Sequence, residues 1–414
     1  MYFVSTLCCL VPNSYRILWQ FISEKYSYIK ERVFMLVLTI YQSYHKISYK
    51  IFKLFNKKHS LQRRGKISWN DTNTGSWIIY NAQNKQLQNQ PFKLPVNSNG
   101  AVDYSKIVTD DNFSNYNFDF IIHKIACGGN EFNDITLLNS IVIEQLRQYN
   151  VLAPNNQEAD LALASAYLTN YAHAKHYACF DTSFHQYIPP KHRIISLSAK
   201  HLKQGVQNYG NLGLVFNGIS TKFGDISDKK MAKGRWVIAY LQDNLNVCCA
   251  IKNGKSSYCS SSTLHNELPS IYNAGYGDLK LSTLLNDNSV SDGNLLAISE
   301  QPLASIEEII NSNSEETQLN LDFYINQISE TIAKLVNVIQ GIDGIVFTGK
   351  LGQNNAKLRQ LICHKLTWLG VSISNKANLE NQCKLHKKSS KIGVFTMLAE
   401  PESAMLQQLA KRID

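Results

Sequence analysis

Two carboxylates, a lysine and two glycines stand near the ends of predicted elements. Asp181 directly follows a short apolar strand, and Lys124 follows another. Glu402 lies close to the C-terminus, while Gly349 and Gly352 follow a third apolar run. Carboxylates can hold Mg²⁺, lysine can face anionic oxygens, and glycine lets backbone N–H groups approach phosphate closely. On residue type alone, Asp181 could equally cap a turn, and Glu402 could be an acid favoured at a helix N-terminus.

The elements around these residues alternate between strands and helices. Short apolar runs bounded by turn residues predict strands at 67–69, 77–80, 118–122, 177–180, 236–240, 247–251 and 345–348. Apolar residues at helical spacing predict helices over 157–171, 322–340 and 356–368. Asp134 could cap a further helix, Gly341 is a fitting helix stop, and Asn253 with Gly254 predicts a hairpin turn. This alternation favours α/β layers over a bundle or a β-sandwich.

The composition is that of an ordinary globular protein of more than one domain. The chain has 414 residues, of which 44% are hydrophobic and 18% are charged. These values exclude a largely disordered chain and a collagen-like chain. The nine cysteines form no C-x-x-C pair, so neither a zinc ribbon nor a thioredoxin-type site is indicated. An odd count fits reduced, cytosolic thiols better than a disulfide framework.

The positive charge is concentrated in residues 1–65, an aromatic-rich segment. This segment carries eleven Lys or Arg against two acids, whereas the rest of the chain carries 31 basic and 30 acidic residues. A nearly neutral body without a recognised nucleic-acid motif argues against a nucleic-acid binder. The longest uncharged run in the segment is too short for a membrane-spanning helix.

Lysines recur every three or four residues over 46–57, with apolar residues between them. This spacing predicts a basic amphipathic helix within the N-terminal extension. Such a helix could dock on an anionic membrane surface, which would place a cytoplasmic protein at the inner face of the membrane. The alternatives are a tail under little selection, or upstream sequence wrongly included by the start assignment.

Five segments resemble those of the acetate kinase family, in the same order. They are 123–129, 180–186, 208–213, 250–256 and 345–354. They resemble the family's substrate-site segment, catalytic-aspartate segment, catalytic-histidine segment, interior hairpin and adenosine-binding loop. The resemblance covers roughly residues 66–414.

The resemblance implies a two-domain α/β acetokinase fold, of the group that includes actin, sugar kinases and heat-shock ATPases. We expect an N-terminal α/β domain over 66–183, which 403–414 could complete, and a nucleotide-binding-type domain over 184–402. The family implies a homodimer that transfers phosphate between ATP and a short-chain carboxylate, with Mg²⁺.

The resemblance also assigns roles to catalytic positions. Asp181 stands at the family's catalytic aspartate, and Lys124 stands where the family has a substrate-binding arginine. Leu212 replaces the catalytic histidine, and no arginine is present near 273–276, where the family has a second one. A lysine keeps the charge of an arginine but loses its planar two-donor fork.

The binding positions are partly retained. Asn70 matches the family's first phosphate loop, although Trp77 replaces the lysine beyond it. Gly349 and Gly352 remain in the adenosine loop, and Glu402 best matches the magnesium-linked glutamate. The second phosphate loop, normally rich in glycine, is replaced by the polar segment 242–246.

Loss of one preorganised transition-state donor typically costs about 10²–10³ in rate. We therefore expect an ATP:short-chain carboxylate phosphotransferase of weak or altered activity. The alternative is a catalytically inactive homologue that acts as a binding or scaffold protein.

Overall fold

The computed structural model describes residues 34–43, 45–154, 156–194, 207–226, 233–261, 268 and 306–413. These residues form two β-sheets with helices packed against them, as expected for α/β layers. One sheet has eight strands in the order β5-β4-β3-β2-β1-β6-β8-β7, and the other has five in the order β11-β10-β9-β12-β13.

The strands of the first sheet are β1 (Met35–Ser43), β2 (Lys46–Phe55), β3 (Lys58–Trp69), β4 (Thr74–Asn81), β5 (Gln86–Lys93), β6 (Phe120–Ile125), β7 (Thr136–Leu137) and β8 (Lys175–Phe180). Those of the second are β9 (Arg235–Leu241), β10 (Asn246–Lys252), β11 (Lys255–Cys259), β12 (Gly344–Thr348) and β13 (Gly393–Thr396). Strand β6 pairs in parallel with β1 and with β8, and β12 pairs in parallel with β9 and with β13. Each sheet therefore has one edge at which the carboxyl ends of parallel strands meet.

The helices are α1 (Tyr104–Val108), α2 (Asp111–Ser114), α3 (Ser140–Arg147), α4 (Gln157–Asn170), α5 (Gly213–Ile226), α6 (Ile306–Asn311), α7 (Glu315–Ile339), α8 (Gly349–Asn354), α9 (Ala356–Lys365), α10 (Asn375–Leu379) and α11 (Pro401–Arg412). The predicted helix over 322–340 is confirmed as α7 and begins earlier, because the Ser314 side chain caps it by accepting from the Thr317 N–H. It ends where Gln340 and Gly341 adopt positive φ.

Both faces of the eight-stranded sheet are covered by apolar side chains. On one face, Tyr49 and Trp77 pack against Phe113 of α2. On the other, Val37 joins a cluster with Met405 of α11. A strand covered on both sides is apolar throughout, and every residue of β6 is buried. Helix α11 therefore packs on the eight-stranded sheet, against the face that Val37 lines.

The predicted hairpin turn is confirmed between β10 and β11. Asn253 and Gly254 both have positive φ, of 55° and 74°. The predicted strand at 177–180 is confirmed as part of β8, and the strand at 345–348 as part of β12. In contrast, Asp134 caps no helix: Asn139 caps α3 by accepting from the Val142 N–H at 2.9 Å.

The amphipathic helix expected over 46–57 is wrong. Residues 46–55 form strand β2, an interior strand of the first sheet that pairs with β1 on one side and with β3 on the other. Ile47, Tyr49 and Ile51 alternate with polar residues, and this strand period competes with the spacing of the lysines. From Met35 onward, the expected extension is therefore an integral part of the first sheet.

Residues 1–33, the other half of that extension, lie outside the described ranges. Within those ranges, no helix combines the length and the apolar character that crossing a membrane needs.

Replacing Ile51 with alanine should destabilise the protein strongly. Its side chain is fully buried in the core of the first sheet, and such a truncation typically costs about 2–5 kcal/mol. Ile141→Ala is the matched control, because Ile141 is 69% exposed on α3. Chemical denaturation of the two variants measures the difference. Equal stability of the two variants would contradict the assignment of Ile51 to a buried strand, because an isoleucine on a surface helix would tolerate replacement by alanine.

Candidate active site

Asp181 and Lys124 meet at the carboxyl ends of two neighbouring parallel strands. Lys124 lies in β6, and Asp181 directly follows β8, with which β6 is paired. The Lys124 Nζ lies 3.9 Å from Asp181 Oδ2, and both side chains are buried. Two of the three charged residues singled out in the sequence thus come together in space.

The second sheet reaches the same place through Tyr240, near the end of β9. Burial and the nearby charge of Asp181 raise the pKa of Tyr240 to about 12, although a hydrogen bond from Gln242 opposes the shift. Asp181 therefore lies where the carboxyl edges of the two sheets approach each other. Ligands commonly bind outside this edge of open α/β sheets.

A third charged residue, Asp160 of α4, binds the lysine more closely than Asp181 does. The Lys124 Nζ lies 2.9 Å from Asp160 Oδ2, and Asp160 is 3% exposed. Two buried carboxyl groups thus share one ammonium group. An unpaired buried charge is strongly unfavourable, so the three groups favour a state in which one carboxyl group holds a proton.

The pKa values follow from this crowding. Burial raises the pKa of Asp160 to about 7, against the opposing charge of Lys124. Burial also raises the pKa of Asp181, and Lys124 again opposes the shift. Burial alone would lower the pKa of Lys124, but the charges of Asp160 and Asp181 outweigh it, and the pKa is raised. Lys124 therefore stays charged, and its charge is already neutralised by protein groups.

Uncharged donors engage both oxygens of Asp181. The Tyr41 hydroxyl donates to Oδ2 at 3.2 Å, and the Leu214 N–H donates to Oδ1 at 3.2 Å. Leu214 lies in the first turn of α5, where the helix dipole favours negative charge. The Lys124 ammonium group also lies 5.6 Å from the centre of the Tyr41 ring. Each oxygen of Asp181 therefore already has a partner within the protein.

Glu402 lies at the start of α11, over strand β2. The Ser48 hydroxyl donates to Glu402 Oε1 at 2.5 Å, and Lys50 Nζ lies 3.8 Å from Oε2. Lys50 also pairs with Glu400 at 2.9 Å. In the described part of the chain, no three His, Cys, Asp or Glu side chains converge as a metal-binding group. Mg²⁺ bound by Glu402 does not fit this arrangement as it stands, because both carboxylate oxygens already face a donor or a cation.

Asn70 lies away from these groups, in the turn between β3 and β4. It is exposed, and its Oδ1 accepts hydrogen bonds from the backbone N–H groups of Thr72 and Thr74. This turn follows the third strand of the sheet, whereas the phosphate loop that the resemblance implied follows a first strand. Strand β1 ends instead at Ser43, which pairs with Lys46 at the start of β2.

Gly349 lies in a close approach between α8 and the end of β9. Its φ is 79°, and a Cβ there would lie 2.5 Å from the carbonyl oxygen of Leu241. Packing alone therefore requires a glycine at this position. A Cβ on Gly352 would meet its nearest atom, in Phe347, at an ordinary 3.5 Å, so the structure imposes no such requirement there.

The segment 242–246, where the resemblance places a phosphate loop, is the turn between β9 and β10. The Asn246 side chain accepts from the Gln242 N–H at 3.1 Å and donates to the Tyr324 hydroxyl at 3.0 Å. Asp243 pairs with Lys350 of α8 at 2.7 Å. An ion pair thus connects this turn to the predicted adenosine loop, and Asp243 presents a negative charge toward any phosphate there.

A family model described as the acetokinase family matches residues 48–262 and 275–407. The chain belongs to the acetokinase family. The matched region begins within β2, so it includes part of the segment that the sequence pattern had separated from the body of the protein.

Individual relatives agree with this membership. Acetate kinase from Rickettsia akari is 31% identical over 301 residues, covering 70% of this chain and 77% of the relative. Acetate kinase from Rhodopseudomonas palustris is 22% identical over 358 residues, covering 79% and 89%. Propionate kinase from Yersinia enterocolitica is 25% identical over 291 residues, covering 66% and 69%.

Solved structures confirm the two-sheet acetokinase fold. Acetate kinase from Entamoeba histolytica superposes with a TM-score of 0.74 at 20% identity, covering 91% of this chain and 99% of that one. A propionate kinase from Francisella tularensis gives the same TM-score and identity, covering 91% and 98%. At this identity, the likeness concerns the fold alone.

Leu212, which the sequence resemblance placed at the family's histidine position, lies immediately before α5. It is buried, has a φ of 56°, and precedes Gly213, whose N–H donates to the backbone oxygen of Asp181 at 3.0 Å. An aliphatic side chain next to Asp181 can offer no proton or hydrogen bond to a reacting group. The segment 273–276, where the second arginine was sought, lies outside the described residues.

Two residues of this acetokinase site, Asp160 and Tyr41, were not singled out in the sequence. Asp160 lies among apolar residues of α4, and such a buried acid was a signal that something must pair with it. Tyr41 lies in the segment interpreted as an extension, so no sequence pattern placed it beside Asp181. Only the parallel pairing of β1 with β6 brings it there.

Replacing Asp160 with asparagine should change how stability depends on pH. An acid with a pKa raised from about 3.9 to about 7 binds a proton more tightly when folded, so its contribution falls as pH rises through that range. The melting temperature of D160N minus that of the wild type should therefore rise between pH 5 and pH 8. Asp111→Asn, an exposed aspartate of α2, should show a constant difference. A constant difference for D160N as well would refute the shared-proton cluster.

Proposed function

We propose that this acetokinase-family protein is an ATP:short-chain carboxylate phosphotransferase of weak or altered activity, with Asp181 as its catalytic carboxylate. The observation that supports this proposal is the buried pair of Asp181 and Lys124 at the carboxyl edge of the sheet. The carboxylate would orient the reacting groups, and the lysine would attract the substrate carboxylate. The acetate and propionate kinases among the relatives support a short-chain acid as the substrate.

The weakness of the proposed activity follows from the ion pairs that Lys124 already makes with Asp160 and Asp181. Phosphoryl transfer relies on positioning and on neutralising charge, so a lysine already paired with two carboxylates has little charge to offer. Lys124 must leave Asp160 to bind a substrate carboxylate. With Leu212 in place of the histidine, a further donor is absent, and each such loss typically lowers the rate about 10²–10³-fold.

ATP and Mg²⁺ are the proposed cofactors by family membership. Gly349 and Gly352 lie in α8, which would contact the nucleotide, beside the turn 242–246. Bound Mg²⁺ would supply charge neutralisation to the phosphates. The protein groups around Glu402 do not fit the ion as they stand, and we assign no step to it.

A catalytically inactive protein that binds a partner is the second candidate. The observation that favours it is that both carboxylate oxygens of Asp181 are already engaged, by hydrogen bonds from Tyr41 and Leu214 and by an ion pair with Lys124. A ligand must displace at least one of these groups to reach the carboxylate. The same chain could then keep the fold without the chemistry.

The homodimer and the cytoplasmic location stay predictions. The predicted membrane contact through residues 1–65 was inferred from an amphipathic helix. The structure does not contain that helix, because the lysines of 46–55 lie on strand β2. Peripheral membrane contact through residues 1–65 stays a prediction. The domain boundaries at 66–183 and 184–402 also stay predictions.

Acyl phosphate formation tests the proposed reaction. The full chain, incubated with ATP, Mg²⁺ and acetate or propionate, should form acyl phosphate slowly, and hydroxylamine traps the product for measurement. Asp181→Asn should lower the rate by about 10²–10³, whereas Asp111→Asn should retain it. A wild-type rate no higher than that of D181N would end this proposal. A rise in melting temperature with Mg²⁺ and ATP would count against an inactive protein that binds no nucleotide.

A further inference from the structure

A cavity of about 420 Å³ lies at the end of the first sheet opposite to Asp181. Asn117, which precedes β6, and His173, which precedes β8, both line it. Strands β6 and β8 are parallel, and Asp181 follows the carboxyl end of β8, so the cavity lies at the amino ends of these strands. The six residues of β8 span roughly 20 Å, at about 3.3 Å per residue. The cavity is therefore separate from the candidate active site.

Helix ends and aromatic rings form the walls of this cavity. Its lining comes from the ends of α1, α2 and α4 and from the residues that follow them. Tyr116 stacks on Phe118 with the ring centres 5.4 Å apart, and the Tyr171 ring lies 5.7 Å from that of Phe118. Phe118 is 1% exposed and belongs to the core of the first sheet. The walls are thus anchored in the core, and such a preformed cavity is typical of small-molecule sites.

The polar groups of the cavity carry no permanent charge. None of the described residues that line it is Lys, Arg, Asp or Glu, whereas three are asparagines. The Asn115 side chain donates to the backbone oxygen of Asp111 at 3.0 Å, and its own amide oxygen stays available as an acceptor. The Asn170 side chain donates in the same way to Ala166, at 2.8 Å. Asn117 is exposed, and its side chain makes no hydrogen bond to any described residue.

The Tyr171 hydroxyl has only a distant partner, although Tyr171 is 6% exposed. It faces the backbone oxygen of Val108 at 3.5 Å, and both residues line the cavity. Hydrogen bonds between a hydroxyl and an oxygen normally measure about 2.5–3.0 Å, and a buried tyrosine hydroxyl usually has such a partner. Burial raises the pKa of Tyr171 to about 12, so the hydroxyl keeps its proton at neutral pH. A ligand in the cavity could therefore accept a hydrogen bond that the protein itself uses poorly.

We call the space between Asn115, Asn117, Asn170 and Tyr171 the amide cavity. A ligand with a carboxylate or a phosphate would lose water there without gaining a cation, which is unfavourable. Amide and hydroxyl groups together donate and accept hydrogen bonds, as the hydroxyl groups of a ligand do. The aromatic rings supply an apolar surface beside them. The volume lies within the range of about 300–1,000 Å³ that is usual for small-molecule sites.

We propose that the amide cavity binds a neutral ring compound that carries several hydroxyl groups. A sugar and a nucleoside share this chemistry. A neutral sugar matches the cavity more fully, because hydroxyl groups surround its ring and can meet all three asparagines. The site does not depend on the proposed phosphotransfer, because none of its residues contacts Asp181 or Lys124.

Saturation-transfer NMR of the full chain with maltose, and separately with adenosine, tests the site. We expect maltose to bind, and titration gives its dissociation constant. Asn117→Ala and Tyr171→Phe should each weaken binding about two- to tenfold, since a neutral hydrogen bond contributes about that much. Asn89→Ala, at an exposed position on β5, is the matched control and should leave the affinity unchanged.

The remaining outcomes also decide the question. Adenosine binding that is weaker in N117A and Y171F, without any maltose binding, would support the site and identify a nucleoside as its ligand. Failure of both compounds to bind would overturn the proposal, as would affinities that neither substitution changes. Asp181→Asn should keep maltose binding, and its loss in D181N would place the sugar at the candidate active site instead. Asn117 is exposed, so N117A tests the cavity even if Y171F does not fold.

Discussion

The constraint on which the site depends is the balance of charge around one buried ammonium group. Lys124 is shared between Asp160 and Asp181, at 2.9 Å and 3.9 Å, where water cannot screen the three charges. Removal of one partner from a buried ion pair typically costs about 3–5 kcal/mol, so this cluster ties α4 to the ends of β6 and β8. The same contacts that stabilise the fold occupy the cation that phosphoryl transfer would need.

In the second sheet, too, charged groups near the candidate site pair with each other. In the turn 242–246, side chains satisfy the backbone groups, and Asp243 is paired with Lys350 across the predicted adenosine loop. A surface pair of this kind contributes little to stability, about 0–1 kcal/mol. It nevertheless places an acid in the turn where the resemblance implied a phosphate loop. In both sheets, the charged side chains near the candidate site are therefore paired with each other.

The parts of the fold that were predictable are those with local causes. The apolar run before Asp181, the Asn253–Gly254 turn and the stripe of α7 each follow from neighbours in sequence. Strand β2 was not predictable in this way, because its lysines satisfy a helical spacing while Ile47 and Ile51 satisfy a strand period. Only pairing with β1 and β3 decides between the two. Likewise, the acetokinase resemblance led to Asp181 and Lys124, but Asp160 and Tyr41 join them through long-range packing.

The lysines of β2 and the lysine beside Asp181 meet the same physical requirement. A buried ammonium group is strongly unfavourable unless an opposite charge neutralises it. Lys124 and Lys50 are neutralised by the protein itself, through Asp160, Glu400 and their neighbours. Among the described residues, Lys46 and Lys66 have no carboxylate at ion-pair distance, although Glu402 opposes the lowering of the Lys46 pKa by burial. Positive charge therefore lies on strands β2 and β3, beside Glu402, as well as next to Asp181.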